Sequence, residues 1–78
     1  MVVEVISPTG TVFKGGVEAL SSSNEVGRFD LLPYHANFIT IIKDSLVIRP
    51  SRGPTQTLPV TRGVLYCYNN NVTVYLGI

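Results

Sequence analysis

The sequence predicts an all-β fold, a small two-sheet β-sandwich or flattened barrel of short antiparallel strands. Two observations carry that expectation. Runs of β-branched and aromatic residues recur about every 8–12 positions, each bounded by Gly, Pro, Asn or Ser clusters. The C-terminal runs also alternate with period two: Leu65 and Cys67 share one face, and Val64, Tyr66 and Tyr68 the other. Phe38, Ile41, Ile42 and Leu46 have helical spacing, but the isoleucine-rich run and the turn pair Lys43-Asp44 oppose a helix.

Taken in order, Val2 to Ile6 is β-branched and predicts a strand. Ser7-Pro8-Thr9-Gly10 suits a type I turn. Thr11 to Lys14 is a second short strand. Gly15-Gly16 before Val17 to Leu20 predicts a two-residue hairpin turn. Ser21 to Asn24 is small and polar, a strand end entering a loop. Phe29 to Leu32 is an apolar run that Pro33 stops, because proline has no amide hydrogen to give. Pro33 to Asn37 then forms a corner, with Gly27 and Pro33 as its structural residues. Gly27 predicts a bulge or tight turn with positive φ. Arg28 and Asp30 flank Phe29 and face solvent if Phe29 points inward.

Phe38 to Ile42 and Leu46 to Ile48 predict the next strands, followed by an exposed turn at Pro50 to Pro54. Thr55 to Val60 contains Pro59 and predicts an edge strand or a strand with an irregular end. Asn69-Asn70-Asn71 predicts a tight turn, since asparagine tolerates the left-handed region. Val72, Val74 and Leu76 line one face of the last strand, with Thr73 and Tyr75 opposite. A sandwich buries one face of each strand. The other face, with Tyr66, Tyr68 and Tyr75, therefore has spare aromatic surface. Such surface stiffens a hairpin or meets a partner.

A length of 78 residues predicts one domain, or part of one, with the domain spanning 1–78. It buries only roughly 60–65 % of its unfolded surface. Charged residues make up 14 %, against roughly 25 % in ordinary domains. Such a charge-poor surface favours a docked subunit. The net charge of +1 and the scattered Lys and Arg exclude an electrostatic nucleic-acid surface. Apolar runs fall far short of the roughly 18 residues of a membrane span. The first residues, Met1-Val2-Val3-Glu4, lack the pattern of a secretory signal.

Catalytic chemistry is not evident. The sequence has neither a Gly-x-x-x-x-Gly-Lys loop nor a Gly-x-Gly-x-x-Gly run. Cys67 sits in an expected strand and His35 in the corner, without a third orienting group, so a buried thiol is the better reading of Cys67. Asp30 and His35 do not make a metal site by themselves. The expectation is therefore a protein without catalytic residues, cofactor, metal or small-molecule substrate. His35 after Pro-Tyr fixes the corner by bonding local backbone, and a rigid corner also serves as a contact.

The run Gly27-Arg-Phe-Asp-Leu-Leu-Pro-Tyr-His-Ala-Asn-Phe38 resembles the signature of the N-terminal β-sandwich of the ε subunit of F-type ATP synthases. Val5 to Pro8, Val12 to Gly15, Arg62 to Leu65 and Asn71 to Val74 resemble other strands of that family, in the right order. The resemblance implies a non-catalytic central-stalk, or rotor, subunit that couples ring rotation to ATP synthesis. It implies contact with the γ subunit and the membrane c-ring. The matching positions are Val26, Arg28, Phe29, Asp30, Leu31, Leu32, Tyr34 and His35. It also implies a peripheral membrane protein on the cytoplasmic, stromal or matrix face, attached only through the complex. Many family members have an acidic residue in place of Arg28 and Gly in place of Tyr34. Family members usually continue into a helical hairpin, whereas this sequence stops at Ile78, which implies neither inhibition of hydrolysis nor nucleotide binding by that hairpin. The alternatives are a free-standing β-sandwich interaction module and a single-stranded nucleic-acid-binding barrel that stacks bases on its tyrosines.

Overall fold

The computed structural model describes residues 1–77; Ile78, the last residue of the expected domain, lies outside them. The described residues form six strands: β1 (Val2–Ser7), β2 (Gly10–Asn24), β3 (Gly27–Leu31), β4 (Phe38–Pro50), β5 (Gln56–Tyr68) and β6 (Asn71–Leu76). They join in the order β1-β6-β5-β4-β2-β3, and β1 also pairs with β2, so the sheet closes on itself. The fold is an all-β flattened barrel. Among the described residues no helix is long and apolar enough to cross a membrane.

Two layers emerge because β2, β4 and β5 are long and each serves both. The first layer runs β4–β5–β6–β1–β2 through Phe38 to Ile42, Gly63 to Tyr68 and Gly10 to Gly16. The second runs β5–β4–β2–β3 through Gln56 to Val60, Asp44 to Pro50 and Val17 to Asn24. Strands that change sheets do so at bends or bulges.

Those bends correct two expected turns. Gly15-Gly16 is not a hairpin turn, and neither glycine has positive φ. β2 continues unbroken through them and bends there, passing from β1 to β4, with a register irregularity just beyond, at Val17/Ala19. Lys43-Asp44 is likewise internal to β4. Asp44 takes φ 72°, and the pairing with β5 shifts between Ile42 and Asp44, the mark of a bulge. Both sequence signals reported a real departure from straight strand. Because closure of the barrel keeps the chain hydrogen-bonded through the departure, it bends instead of reversing. The strands are consequently fewer and longer than expected. One pairing, β1 with β6, is parallel and not antiparallel.

Ser21 to Asn24 end β2 and lead into the turn at Glu25 and Val26, as expected. Their polarity did not foretell that Ser21 to Ser23 are buried, paired with β3 on one side and β4 on the other. Ser22 is fully buried, and its hydroxyl donates to the Ser45 carbonyl at 2.7 Å. That bond satisfies a carbonyl beside the β4 bulge, where ladder pairing is interrupted. Pro59 sits in the half of β5 that pairs only with β4. It stands opposite Ser45 on an edge, where a sheet tolerates proline.

Period-two alternation feeds one core. Val3, Val5, Leu20, Leu31, Ile42, Leu46, Ile48, Leu65, Cys67, Val72 and Val74 are buried between the layers. Gly63 marks their tightest crossing: a Cβ built there would lie 2.8 Å from the Tyr75 carbonyl oxygen. Only glycine lets β5 and β6 approach so closely at this point.

Candidate interaction site

The residues singled out between Val26 and His35 lie on β3, an edge strand paired only with β2, and on the turn and corner at its two ends. Alternation along β3 sorts them. Arg28 and Asp30 face out, Phe29 is half-buried, and Leu31 is fully buried. Leu31 is thus a correction to the expected contact set: its side chain fills the core and is not available to a partner. Phe29 meets Phe38 edge-on, with ring centroids 6.3 Å apart, and braces the sandwich beneath the strand. The remaining residues form a band, not a point. Val26 and Leu32 sit at opposite ends of β3, roughly 20 Å apart at strand rise.

The Val26 end is built by one side chain. Asn24 Oδ1 accepts from the amides of Val26 at 2.9 Å and Gly27 at 3.3 Å. Its Nδ2 donates to Thr40 Oγ1 at 3.3 Å, tying the turn to β4. Gly27 takes φ 139°, a conformation that favours glycine. The result holds Val26 at the tip with its side chain 94 % exposed. Folding gains nothing from an apolar side chain presented in this way.

The other end is the corner. Tyr34 takes φ 64°, strained for a residue with a Cβ. Its amide donates to Asn70 Oδ1 at 2.7 Å. In return, the Asn69 amide donates to Asn37 Oδ1 at 2.8 Å. Two asparagines therefore clasp the corner to the β5–β6 turn, where Asn69 and Asn70 both have positive φ. His35 Nδ1 lies 2.9 Å from the Ala36 carbonyl, to which the Nδ1–H tautomer donates. Its ring packs on Phe38 at 5.0 Å between centroids. Leu32, Pro33, Tyr34 and His35 are all exposed on this braced corner.

Charge along the band is uneven. Asp30 accepts a 2.5 Å bond from the Ser21 hydroxyl, which in turn accepts from Arg49 Nη1 at 3.3 Å. Asp30 is therefore tethered through Ser21 to a cation. Arg28 stands exposed on the same face of β3.

A second surface lies on the outer face of the first layer. Register places Ile41, Val64, Tyr75 and Ile6 in one row across four strands, and Ile39, Tyr66, Thr73 and Glu4 in the next. Ile39, Ile41, Tyr66, Tyr68 and Tyr75 are all exposed. Tyr66 and Tyr68 stack on each other, with centroids 6.3 Å apart and planes at 19°. The tyrosines thus stiffen β5 and still leave contact surface. The sequence missed Asn24, Asn37 and Asn70 as the braces of the site. Asparagine beside a turn was their only local signal, since two of their bonds join segments more than 30 residues apart.

The architecture sets a class: small two-layer β-sandwiches closed into a flattened barrel by strands that cross between layers. Within it, the chain belongs to the family described as "ATP synthase, Delta/Epsilon chain, beta-sandwich domain", whose model matches residues 1–76. The ATP synthase epsilon chain of Endomicrobium trichonymphae is 35 % identical over 72 residues, covering 92 % of this chain and 52 % of that relative. The epsilon chain of Clostridium botulinum (strain Alaska E43 / Type E3) is 29 % identical over 73 residues, covering 92 % and 54 %. The chain therefore spans about half the length of the curated relatives it matches. A chain in the central stalk/c-ring structure of Tetrahymena thermophila mitochondrial ATP synthase superposes with TM-score 0.86 at 13 % identity, covering all of this chain and 63 % of that one. A chain of the Euglena gracilis mitochondrial ATP synthase, from its OSCP/F1/c-ring structure, gives 0.88 at 11 %, covering 97 % and 49 %. These two likenesses concern the fold.

Proposed function

We propose that this chain is a non-catalytic rotor subunit of an F-type ATP synthase, docked on the γ subunit and the c-ring. It couples rotation of the ring to ATP synthesis. The observation that carries the reading is the pair of exposed apolar surfaces on a braced sandwich of the ε family. One is the band from Val26 along β3 to Tyr34 and His35; the other is the Ile39, Ile41 and tyrosine face. The band meets the polar loops of the ring, and the tyrosine face packs on γ. Arg28 is the charged group of the band left free to pair with an acid on the ring.

Mechanically the domain acts as a wedge. A close-packed core deforms little, so force applied at the band is delivered at the tyrosine face. The Asn24 turn and the Asn37/Asn70 clasp keep the contact residues from yielding first. The chain reaches the membrane surface only through the complex.

Reconstitution with the cognate γ subunit and c-ring tests this. Wild type is expected to co-purify with both. Val26→Asp is expected to weaken the ring contact and Tyr66→Ala the γ contact, each by about 1–2 kcal/mol; melting stays unchanged in Val26→Asp and falls slightly in Tyr66→Ala, which loses its stack on Tyr68. A wild-type chain that binds neither partner ends the proposal.

A further inference from the structure

We propose that the cleft at the bend of β2 binds a small organic anion, a phosphate or carboxylate carried on an apolar or aromatic body. The cleft lies between that bend and the β4–β5 connection, is open to solvent, and offers about 320 Å³, near the lower end of volumes that hold small ligands. Lys14 and Arg52 are its charged lining residues among those described, and both are cations. Ser51 and Gln56 add neutral donors, while Phe13 supplies an aromatic wall. The lining thus offers the kinds of group that recognise such a ligand: cations, neutral donors and a ring.

The local structure keeps this cleft open and in register. The Ser51 amide donates to the Gly16 carbonyl at 3.0 Å, joining the connection to the bend. A Cβ on Gly16 would lie 3.4 Å from Ser51 Oγ, so glycine leaves that wall clear. Glu4 stands opposite Lys14 across the β1–β2 pair, where its Oε2 accepts from Thr11. Lys14 thus has a carboxylate across the ladder, and Arg52 is the principal anion partner. A cleft of about 280 Å³ near the Val26 turn also carries two cations, Lys43 and Arg62, but Glu25 shares its lining and offsets one of them. The residues of the β2 cleft belong neither to the β3 band nor to the tyrosine face, so the rotor reading and this site stand or fall separately.

Amide chemical shifts of the 78-residue chain, followed by NMR at constant ionic strength, test the site with phenyl phosphate, inorganic phosphate and phenol. Phenyl phosphate is expected to shift the Gly15, Gly16, Ser51, Arg52 and Gln56 amides along a saturable curve. Inorganic phosphate is expected to reach the same amides about tenfold more weakly, and phenol to leave them unmoved. Arg52→Gln, on an exposed connection, is expected to weaken phenyl phosphate about tenfold, as loss of one charge-assisted contact does. Shifts that never saturate, or a midpoint unchanged in both Arg52→Gln and Lys14→Gln, overturn the site. Equal response to phenol, or to inorganic phosphate, overturns the class of ligand.

Discussion

Replacing Asn70 by alanine removes two things at once. The Tyr34 amide loses its acceptor at 2.7 Å, and a residue at φ 62° loses the side chain that tolerates it. The bond is exposed, so its share is about 0.5–1 kcal/mol. A left-handed alanine adds roughly 1 kcal/mol or a little more. Asn70→Ala is therefore expected to cost about 2 kcal/mol, out of a total of roughly 4–12 for a chain of this length. At about 4–8 °C per kcal/mol for a domain this small, melting falls by roughly 8–16 °C. Urea unfolding and calorimetry measure the loss. Two companion variants divide it. Asn70→Asp keeps both the acceptor and the left-handed tolerance and is expected to fall within about 0.5 kcal/mol of wild type. Asn70→Gly keeps only the backbone freedom and is expected to fall between the other two. Hydrogen exchange adds a local readout: protection of the Tyr34 amide disappears in Asn70→Ala and Asn70→Gly and survives in Asn70→Asp. Should alanine prove as stable as aspartate, the clasp does not hold the corner and the reasoning fails.

Tyr34→Gly removes the strain at φ 64° and is expected to gain about 0.5–1 kcal/mol after the entropy of glycine is counted; a loss in urea unfolding contradicts this. Leu31→Ala empties a fully buried site and is expected to cost about 2–5 kcal/mol, with binding per folded molecule unchanged; a selective binding defect at intact stability returns Leu31 to the contact set. Gly63→Ala drives a Cβ to 2.8 Å from the Tyr75 carbonyl and is expected to cost about 1–3 kcal/mol or more, read as a lower urea midpoint. Burial pushes the Cys67 thiol above its usual range. The folded chain therefore keeps its proton where the unfolded chain has begun to lose it, and the stability that this contributes is complete below the ordinary thiol pKa. It falls as pH rises from there through the folded value. Unfolding free energies at increasing alkalinity are expected to decline more steeply for wild type than for Cys67→Ala; parallel curves refute it.

Much of the architecture was legible because its causes are local. Alternation at Leu65, Cys67, Val72 and Val74 marked the core face, and those side chains are buried. Asn69-Asn70 marked a left-handed turn, and both residues have positive φ. Proline at 59 marked an edge, and that half of β5 has one neighbour. Gly15-Gly16 and Lys43-Asp44 marked departures from straight strand, although the kind of departure was misread. A glycine pair permits a reversal and a bend equally, and the choice depends on whether β1 and β4 wait on either side of β2 to take its hydrogen bonds.

The sequence by itself therefore determined the all-β class, the inward faces and the places where the chain must deviate. Those follow from side-chain period and from φ, properties each residue carries with it. Tertiary structure alone decided that three strands cross between layers and that Ser21 to Ser23 are interior. It also withdrew Leu31 from the surface band and braced the corner through Asn37 and Asn70. Each of these depends on hydrogen bonds and packing between segments far apart in the chain, and such pairings are set by closure of the barrel as a whole, not by any local run of residues.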